Sequence, residues 1–198
     1  MFTGIIEAQA VLHSLYSVGS NKQFIFRCPF TTDLKIDQSL SHNGVCLTVT
    51  KIIGDLYEVV AVEETLNRTN LGLLKVNDAV NIERCIPANG RFDGHFVLGH
   101  IDQTANCKKI EERNGSWLFT FDYDASSGNL TIEKGSIAVN GVSLTVVESE
   151  KGSFSVAVIP YTFDNTNFHL LKPGASVNLE FDVLGKYIKE YLRNSNVI

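Results

Sequence analysis

One seven-residue pattern occurs twice in the chain. Asn43-Gly44-Val45-Cys46-Leu47-Thr48-Val49 returns as Asn140-Gly141-Val142-Ser143-Leu144-Thr145-Val146, identical at six of seven positions and displaced by 97 residues. Asn-Gly favours a tight hairpin turn, and in the strand that follows alternate side chains point to opposite faces. Val45, Leu47 and Val49 then share one face, and Cys46 and Thr48 the other. In the second copy Val142, Leu144 and Val146 face one way, Ser143 and Thr145 the other. The apolar face suits a barrel interior. The remaining face carries a thiol and hydroxyls, groups that donate hydrogen bonds or act as nucleophiles. Small polar residues also merely decorate sheets, and the residues alone leave both readings open.

Histidine is the natural acid–base group near neutral pH. His95 and His100 stand in Gly94-His95-Phe96-Val97-Leu98-Gly99-His100-Ile101-Asp102. Their spacing of five is not that of a helical metal pair, and the plainer reading of either is a satisfied structural residue. His100 stands where the first copy has Ile5, so the halves differ in acid–base capacity. The chain has no GxGxxG, Walker A loop, HExxH or GxSxG, which withdraws support from common nucleotide, zinc-peptidase and hydrolase readings.

The elements that must position these groups are themselves repeated. At the same displacement, Thr65-Leu66-Asn67-Arg68-Thr69-Asn70-Leu71 matches Thr162-Phe163-Asp164-Asn165-Thr166-Asn167-Phe168, and Val80-Asn81-Ile82-Glu83 matches Val177-Asn178-Leu179-Glu180. Gly4-Ile5-Ile6-Glu7 resembles Gly99-His100-Ile101-Asp102 at a displacement of 95. Matched blocks in one order indicate two tandem copies of one unit, joined near residues 86–98, where Pro, Gly, Asn and Asp cluster. Phe24–Cys28, Leu56–Val62, Trp117–Phe121 and Phe154–Ile159 are short and rich in β-branched and aromatic residues, as strands are. A helical turn is expected after Glu63 and Glu64, stopped by Gly72. Each unit of under 100 residues suits a closed antiparallel barrel, which removes exposed edges. The expected architecture is all-β: two tandem six-stranded antiparallel Greek-key barrels over 1–88 and 89–183, and a C-terminal helix within 184–198. In that tail, positions 184, 187, 188, 191 and 192 are apolar at helical spacing. So short a helix must dock, on its own barrel or on another subunit.

Composition narrows the class. Of 198 residues, 44% are hydrophobic and 20% charged, which is globular and excludes a disordered or membrane-spanning chain. The net charge of -5 excludes the basic surplus of a nucleic-acid binder. Cys28, Cys46, Cys85 and Cys107 form no CxxC pair. With no basic n-region or long apolar stretch at the start, a reducing cytoplasm is the expected location.

Taken together, the Met1–Glu7 opening, the His42–Val49 block, Glu64-Thr65-Leu66, the Gly94–Asp102 stretch and the Asn140–Val146 block resemble the riboflavin synthase alpha chain family. The resemblance runs from residue 1 to the terminal helix. It implies a transferase that dismutates two molecules of 6,7-dimethyl-8-ribityllumazine into riboflavin and 5-amino-6-(D-ribitylamino)uracil by four-carbon transfer. It implies no metal or other cofactor, two substrate molecules per active site, and no nucleic-acid or membrane partner. It also implies a homotrimer with the C-terminal helices at its core, in which an N-terminal barrel faces a neighbour's C-terminal barrel. Carried over by position, one pocket holds Gly4, Ile5 and Ile6 with Cys46, Leu47 and Thr48 and the run Val60, Ala61, Val62, Glu63, Glu64 and Thr65. The other holds Gly99, His100 and Ile101 with Ser143, Leu144 and Thr145 and the run Ala157, Val158, Ile159, Pro160, Tyr161 and Thr162. Lys134 matches a lysine that reaches a pocket of the adjacent subunit. Candidates for base and nucleophile are Ser39, Cys46 and Thr48 in the first barrel and His100, Ser143 and Thr145 in the second. The nearest rival is a non-catalytic lumazine or flavin antenna protein. Against it stand the intact second motif, His100 and the terminal helix. A flavin-reductase barrel is a third reading, for which the chain is too short and lacks a dinucleotide fingerprint.

Overall fold

The structure is a computed structural model, described over residues 1–195. Residues 196–198 of the expected tail lie outside the described residues. The first barrel contains β1 (Ala8–Val18), β2 (Asn21–Arg27), β3 (Ser39–His42), β4 (Val45–Ile53), β5 (Leu56–Ala61) and β6 (Ala79–Arg84). The second contains β7 (Gln103–Glu112), β8 (Trp117–Asp122), β9 (Ser136–Val139), β10 (Val142–Glu150), β11 (Ser153–Val158) and β12 (Ser176–Phe181). Each sheet closes in the same antiparallel order, β1-β2-β5-β4-β3-β6 and its counterpart. β3, β4 and β5 are successive hairpins and β6 returns beside β3, which is the Greek-key arrangement.

The sequence explains the closure. Asn43 (φ 48) and Gly44 (φ 82) both have positive φ, as do Asn140 (φ 45) and Gly141 (φ 79). That is the turn type Asn-Gly favours between antiparallel strands. A register shift between Val49 and Lys51 recurs between Val146 and Glu148. Such bulges bend and twist a strand, which lets a short sheet curl shut. Val45, Leu47 and Val49 are buried in one core, and Val142, Leu144 and Val146 in the other, as the alternation requires.

Two local expectations change. The helix α1 (Glu63–Arg68) ends before Gly72. Thr69 stops it: its backbone is extended, and its side chain accepts a bond from Leu71 N–H to open a 3₁₀ turn over Asn70–Leu73, with Gly72 inside that turn. The same device recurs at Thr166, after α2 (Pro160–Asn165). The terminal helix α3 (Val183–Asn194) docks on its own barrel through polar contacts. Lys186 pairs with Asp102 at 2.6 Å, and Lys189 Nζ donates to Ser127 O at 2.5 Å. Its apolar side chains Leu184, Tyr187, Ile188 and Tyr191 stay exposed.

The barrels meet across six buried asparagines, paired by the repeat as Asn43/Asn140, Asn70/Asn167 and Asn81/Asn178. Asn70 N–H donates to Asn178 Oδ1 at 2.7 Å, and Asn167 N–H donates to Asn81 Oδ1 at 2.7 Å. Asn178 Nδ2 donates to Asn43 O at 2.9 Å, and Asn81 Nδ2 to Asn140 O at 3.0 Å. At the centre, a Cβ on Gly141 would lie 2.6 Å from Gly44 N. Only two glycines allow this approach at positive φ.

One difference between the cores is a buried polar pair in the first. In the first, buried His42 bonds Leu40 O through Nδ1 (3.1 Å) and Tyr57 Oη through Nε2 (2.9 Å). The second has Val139 and Phe154 at the matching positions. Burial pushes the His42 imidazole down to about 3. An unfolded chain protonates this group near its ordinary 6.5. Between these values the unfolded state binds the extra proton, so stability falls as pH falls. His42 should contribute a loss of about 2 kcal/mol between pH 7 and pH 5. Urea titrations of wild type and a His42→Val/Tyr57→Phe double variant at both pH values check this. Equal acid sensitivity in the two proteins would contradict it.

Candidate functional site

Both candidate strands carry their polar face outward. Cys46 and Ser143 are half-buried, Thr48 and Thr145 exposed. Across the β3–β4 ladder Ser39 stands opposite Thr48, and across β9–β10 Ser136 stands opposite Thr145. β5 pairs with β4 from Ile53↔Leu56 to Val49↔Val59, so the run Val60 to Thr65 continues from the motif's last residue beyond that ladder. β11 pairs with β10 from Glu150↔Ser153 to Val146↔Val156, and the run Ala157 to Thr162 continues in the same way from the end of the second motif.

The glycine loops do not stay with their own halves. Gly4 and Ile6 were grouped above with Cys46; they lie on the second barrel instead. Ser143 N–H donates to Gly4 O at 2.8 Å, and Ile6 packs against the second core. Conversely Cys46 N–H donates to Gly99 O at 2.9 Å, and Ile101 packs against the first core. The physical reason is the contact between barrels. Each loop precedes the first strand of its own barrel and crosses the contact to add a short extended segment beside the other barrel's motif. One cluster is therefore Cys46, Leu47 and Thr48 with Gly99, His100 and Ile101. The other is Ser143, Leu144 and Thr145 with Gly4, Ile5 and Ile6. Both glycines have positive φ (79° and 84°), and their missing side chains allow the approach. A Cβ on Gly4 would lie 2.6 Å from Ser143 Cβ, and one on Gly99 would lie 2.5 Å from Cys46 Cβ.

Several groups absent from the expected set hold this arrangement. Phe2 is fully buried with Val97 and Ala138, and exchanges backbone bonds with Val97 at 2.7 and 3.1 Å. The buried Glu83 carboxylate accepts from Thr3 N–H (2.7 Å), Thr3 Oγ1 (2.8 Å) and Gly4 N–H (2.9 Å). Glu180 accepts from the N–H groups of Leu98 (2.7 Å), Gly99 (2.9 Å) and His100 (3.1 Å). Burial raises both carboxyl pKa values, against the pull of these bonds. The signal available in sequence was a glutamate kept at the end of an apolar strand in both copies.

The two clusters are chemically unequal. His95 Nδ1 lies 2.7 Å from Ser143 Oγ. Burial lowers the His95 pKa, opposed by the charge of Asp182, which favours the neutral ring. His95 is thus more than the isolated structural histidine its sequence context suggested. The Cys46 cluster has His100 instead, exposed at the loop tip with its backbone held by Glu180. Lys134 is brought into neither cluster. It is exposed in a left-handed turn ahead of β9, and only its backbone is bonded, to Val146 O, among the described residues.

Comparison with known proteins agrees with this doubled geometry. The family described as the lumazine binding domain matches residues 3–85 and again 98–182. Riboflavin synthase of Actinobacillus pleuropneumoniae is 40% identical over 97% of this chain and 90% of its own length. That of Bacillus subtilis (strain 168) is 37% identical over 99% and 92%. The chain belongs to the riboflavin synthase family. Among solved structures, LumP complexed with riboflavin superposes with a TM-score of 0.84 at 23% identity, covering 91% of this chain and 99% of that one. That likeness is one of fold. Among the described residues no helix is long and apolar enough to cross a membrane.

Substituting alanine at Gly4 or Gly99 should therefore separate loop from motif. Gly19 also has positive φ, but a Cβ there meets nothing within 4 Å. Gly4→Ala and Gly99→Ala should each weaken lumazine binding at least tenfold by fluorescence titration, and Gly19→Ala less than twofold. Equal effects at all three would show that backbone strain alone is responsible.

Proposed function

We propose that this chain is a riboflavin synthase. It takes two molecules of 6,7-dimethyl-8-ribityllumazine and passes four carbons from one to the other, giving riboflavin and 5-amino-6-(D-ribitylamino)uracil. The observation that carries this reading is the doubled cluster: one strand motif and one glycine loop, built twice in a chain whose relatives at 37–40% identity are riboflavin synthases. A reaction between two like molecules calls for two like pockets. The antenna reading rests on structures of lower identity, and the synthase relatives outweigh it.

Each pocket offers backbone N–H and C=O groups along an extended strand to read a pteridine edge. Hydroxyls and carboxylates such as Thr48, Glu63, Glu64, Thr65 and Thr145 suit the ribityl hydroxyls. The lumazine C7 methyl is acidic because its anion delocalises into the ring. A base removes that proton from one lumazine. A nucleophile, or hydroxide held by one, adds at C7 of the other. Cys46, Thr48, Ser39 and His100 serve one side of this pair, Ser143 and Thr145 the other. Holding two reactants aligned supplies up to about 7–11 kcal/mol in favourable cases. The proposed assembly is a cytoplasmic homotrimer in which the exposed apolar residues of α3 pack together, and Lys134 reaches a neighbour's pocket. A native mass other than three chains would rule that assembly out.

Incubating the protein with the lumazine should yield one riboflavin per two lumazines consumed. His100→Ala and Cys46→Ser should lower turnover at least tenfold with lumazine affinity changed less than threefold. Binding without conversion would establish the antenna reading, and unchanged turnover in both variants would remove these residues from the reacting set.

A further inference from the structure

Glu83 and Glu180 sit at matching places on the last strands of their barrels, β6 and β12. Neither hydrogen-bonds to its own barrel's strand motif: across the ladder Ser41 stands between Glu83 and Cys46, and Ala138 between Glu180 and Ser143. Glu83, in the first barrel, grips Thr3 and Gly4. From there the loop reaches the second barrel at two points. Gly4 O receives Ser143 N–H, and Thr3 O receives His95 N–H at 3.0 Å. His95 in turn meets the Ser143 hydroxyl. Glu180, in the second barrel, grips Leu98, Gly99 and His100. Gly99 O then receives Cys46 N–H of the first barrel.

We infer that Glu83 and Glu180 are crossed positioning residues, each setting the geometry of the reacting groups in the opposite barrel's pocket. Glu83 acts on the Ser143–His95 pair, and Glu180 on Cys46 and His100. This rests on the riboflavin synthase reading of the two clusters. It assigns these carboxylates no contact with substrate.

The chemistry fits the task. A carboxylate accepts several hydrogen bonds at once, and bonds to an ionised acceptor are shorter and stronger than neutral ones. Three donors converge on each group, so a loop of two or three residues is fixed at consecutive N–H positions. A glutamine of the same shape keeps one acceptor oxygen but turns an NH₂ donor toward a backbone N–H. The loop must then shift. Small displacements of reacting groups are costly in rate, since near-attack geometry is set to fractions of an ångström. The two clamps differ in their third donor. Thr3 Oγ1 takes the place in the first that His100 N–H takes in the second, so Glu180 holds the acid–base histidine directly.

Double-mutant cycles test the crossing. Glu83→Gln, Glu180→Gln, Ser143→Ala and Cys46→Ser are made singly and in all four Glu-with-motif pairs. Riboflavin formation is read as kcat and KM, lumazine binding by fluorescence, and folding by thermal melting. Each Glu→Gln change should lower kcat at least tenfold with KM changed less than threefold. Glu83 should couple to Ser143, and Glu180 to Cys46, by at least fivefold; the pairs within one barrel should multiply independently to within twofold. Thr3→Val removes one of the three bonds to Glu83 and gives a milder variant should Glu83→Gln not fold. It too should couple to Ser143 and not to Cys46. Coupling confined to the same barrel, or equal in all pairs, would overturn the inference. So would kcat unchanged in either Glu→Gln variant. Should the wild type bind lumazine without turning it over, the enzyme reading fails, and the same cycles read by thermal melting decide the crossing: Glu83 should couple to Ser143 and Glu180 to Cys46, and coupling within one barrel instead would overturn it.

Discussion

The contact between Gly44 and Gly141 is the constraint on which the rest depends. It lies where the two barrels meet, and neither position admits a Cβ. The six asparagines around it exchange backbone and side-chain hydrogen bonds across the contact, and Asn70 Oδ1 is left without a partner among the described residues. A buried polar network of this kind is costly when half made and specific when complete. It therefore fixes one relative placement of the barrels rather than a family of sliding ones. Apolar packing alone tolerates more rearrangement.

That placement decides where the loops go. With the hairpin tips apposed, the segment before β1 reaches the second motif, and the segment before β7 reaches the first. Each pocket then belongs to neither half alone. The duplication supplies two similar strand motifs, and the contact supplies each with a foreign loop. Chemical difference enters through single substitutions at matched places: His100 against Ile5, Cys46 against Ser143, and His95 added on one side only. Two related pockets with unequal side chains suit a reaction in which two identical molecules play different parts.

Much of this was legible in the residues. The repeat, the two barrels, the inward face of each motif and the short helices follow from periodicity, Asn-Gly turns and matched blocks, which are local signals. The crossing of Gly4 and Gly99 was not legible, because it depends on how the barrels dock. A repeat shows which segments correspond and is silent on which of them touch. Glu83 and Glu180 were visible as repeated residues, but a glutamate at a strand end ordinarily faces water; only the structure shows three donors converging on each. His95 read as structural for a similar reason, since its partner Ser143 is 48 residues away. The stop of α1 is set by Thr69, whose extended backbone ends the helix before Gly72, and a threonine at that place carries no strong local stop signal.

One chain builds two pockets, each completed by the other half. The most direct measurement is the number of ligands bound per chain. A ribityl lumazine with a 7-oxo group in place of the 7-methyl lacks the acidic 7-methyl proton, so it binds without reacting. Equilibrium dialysis should find two molecules of this analogue bound per chain. Saturation at one per chain would contradict it.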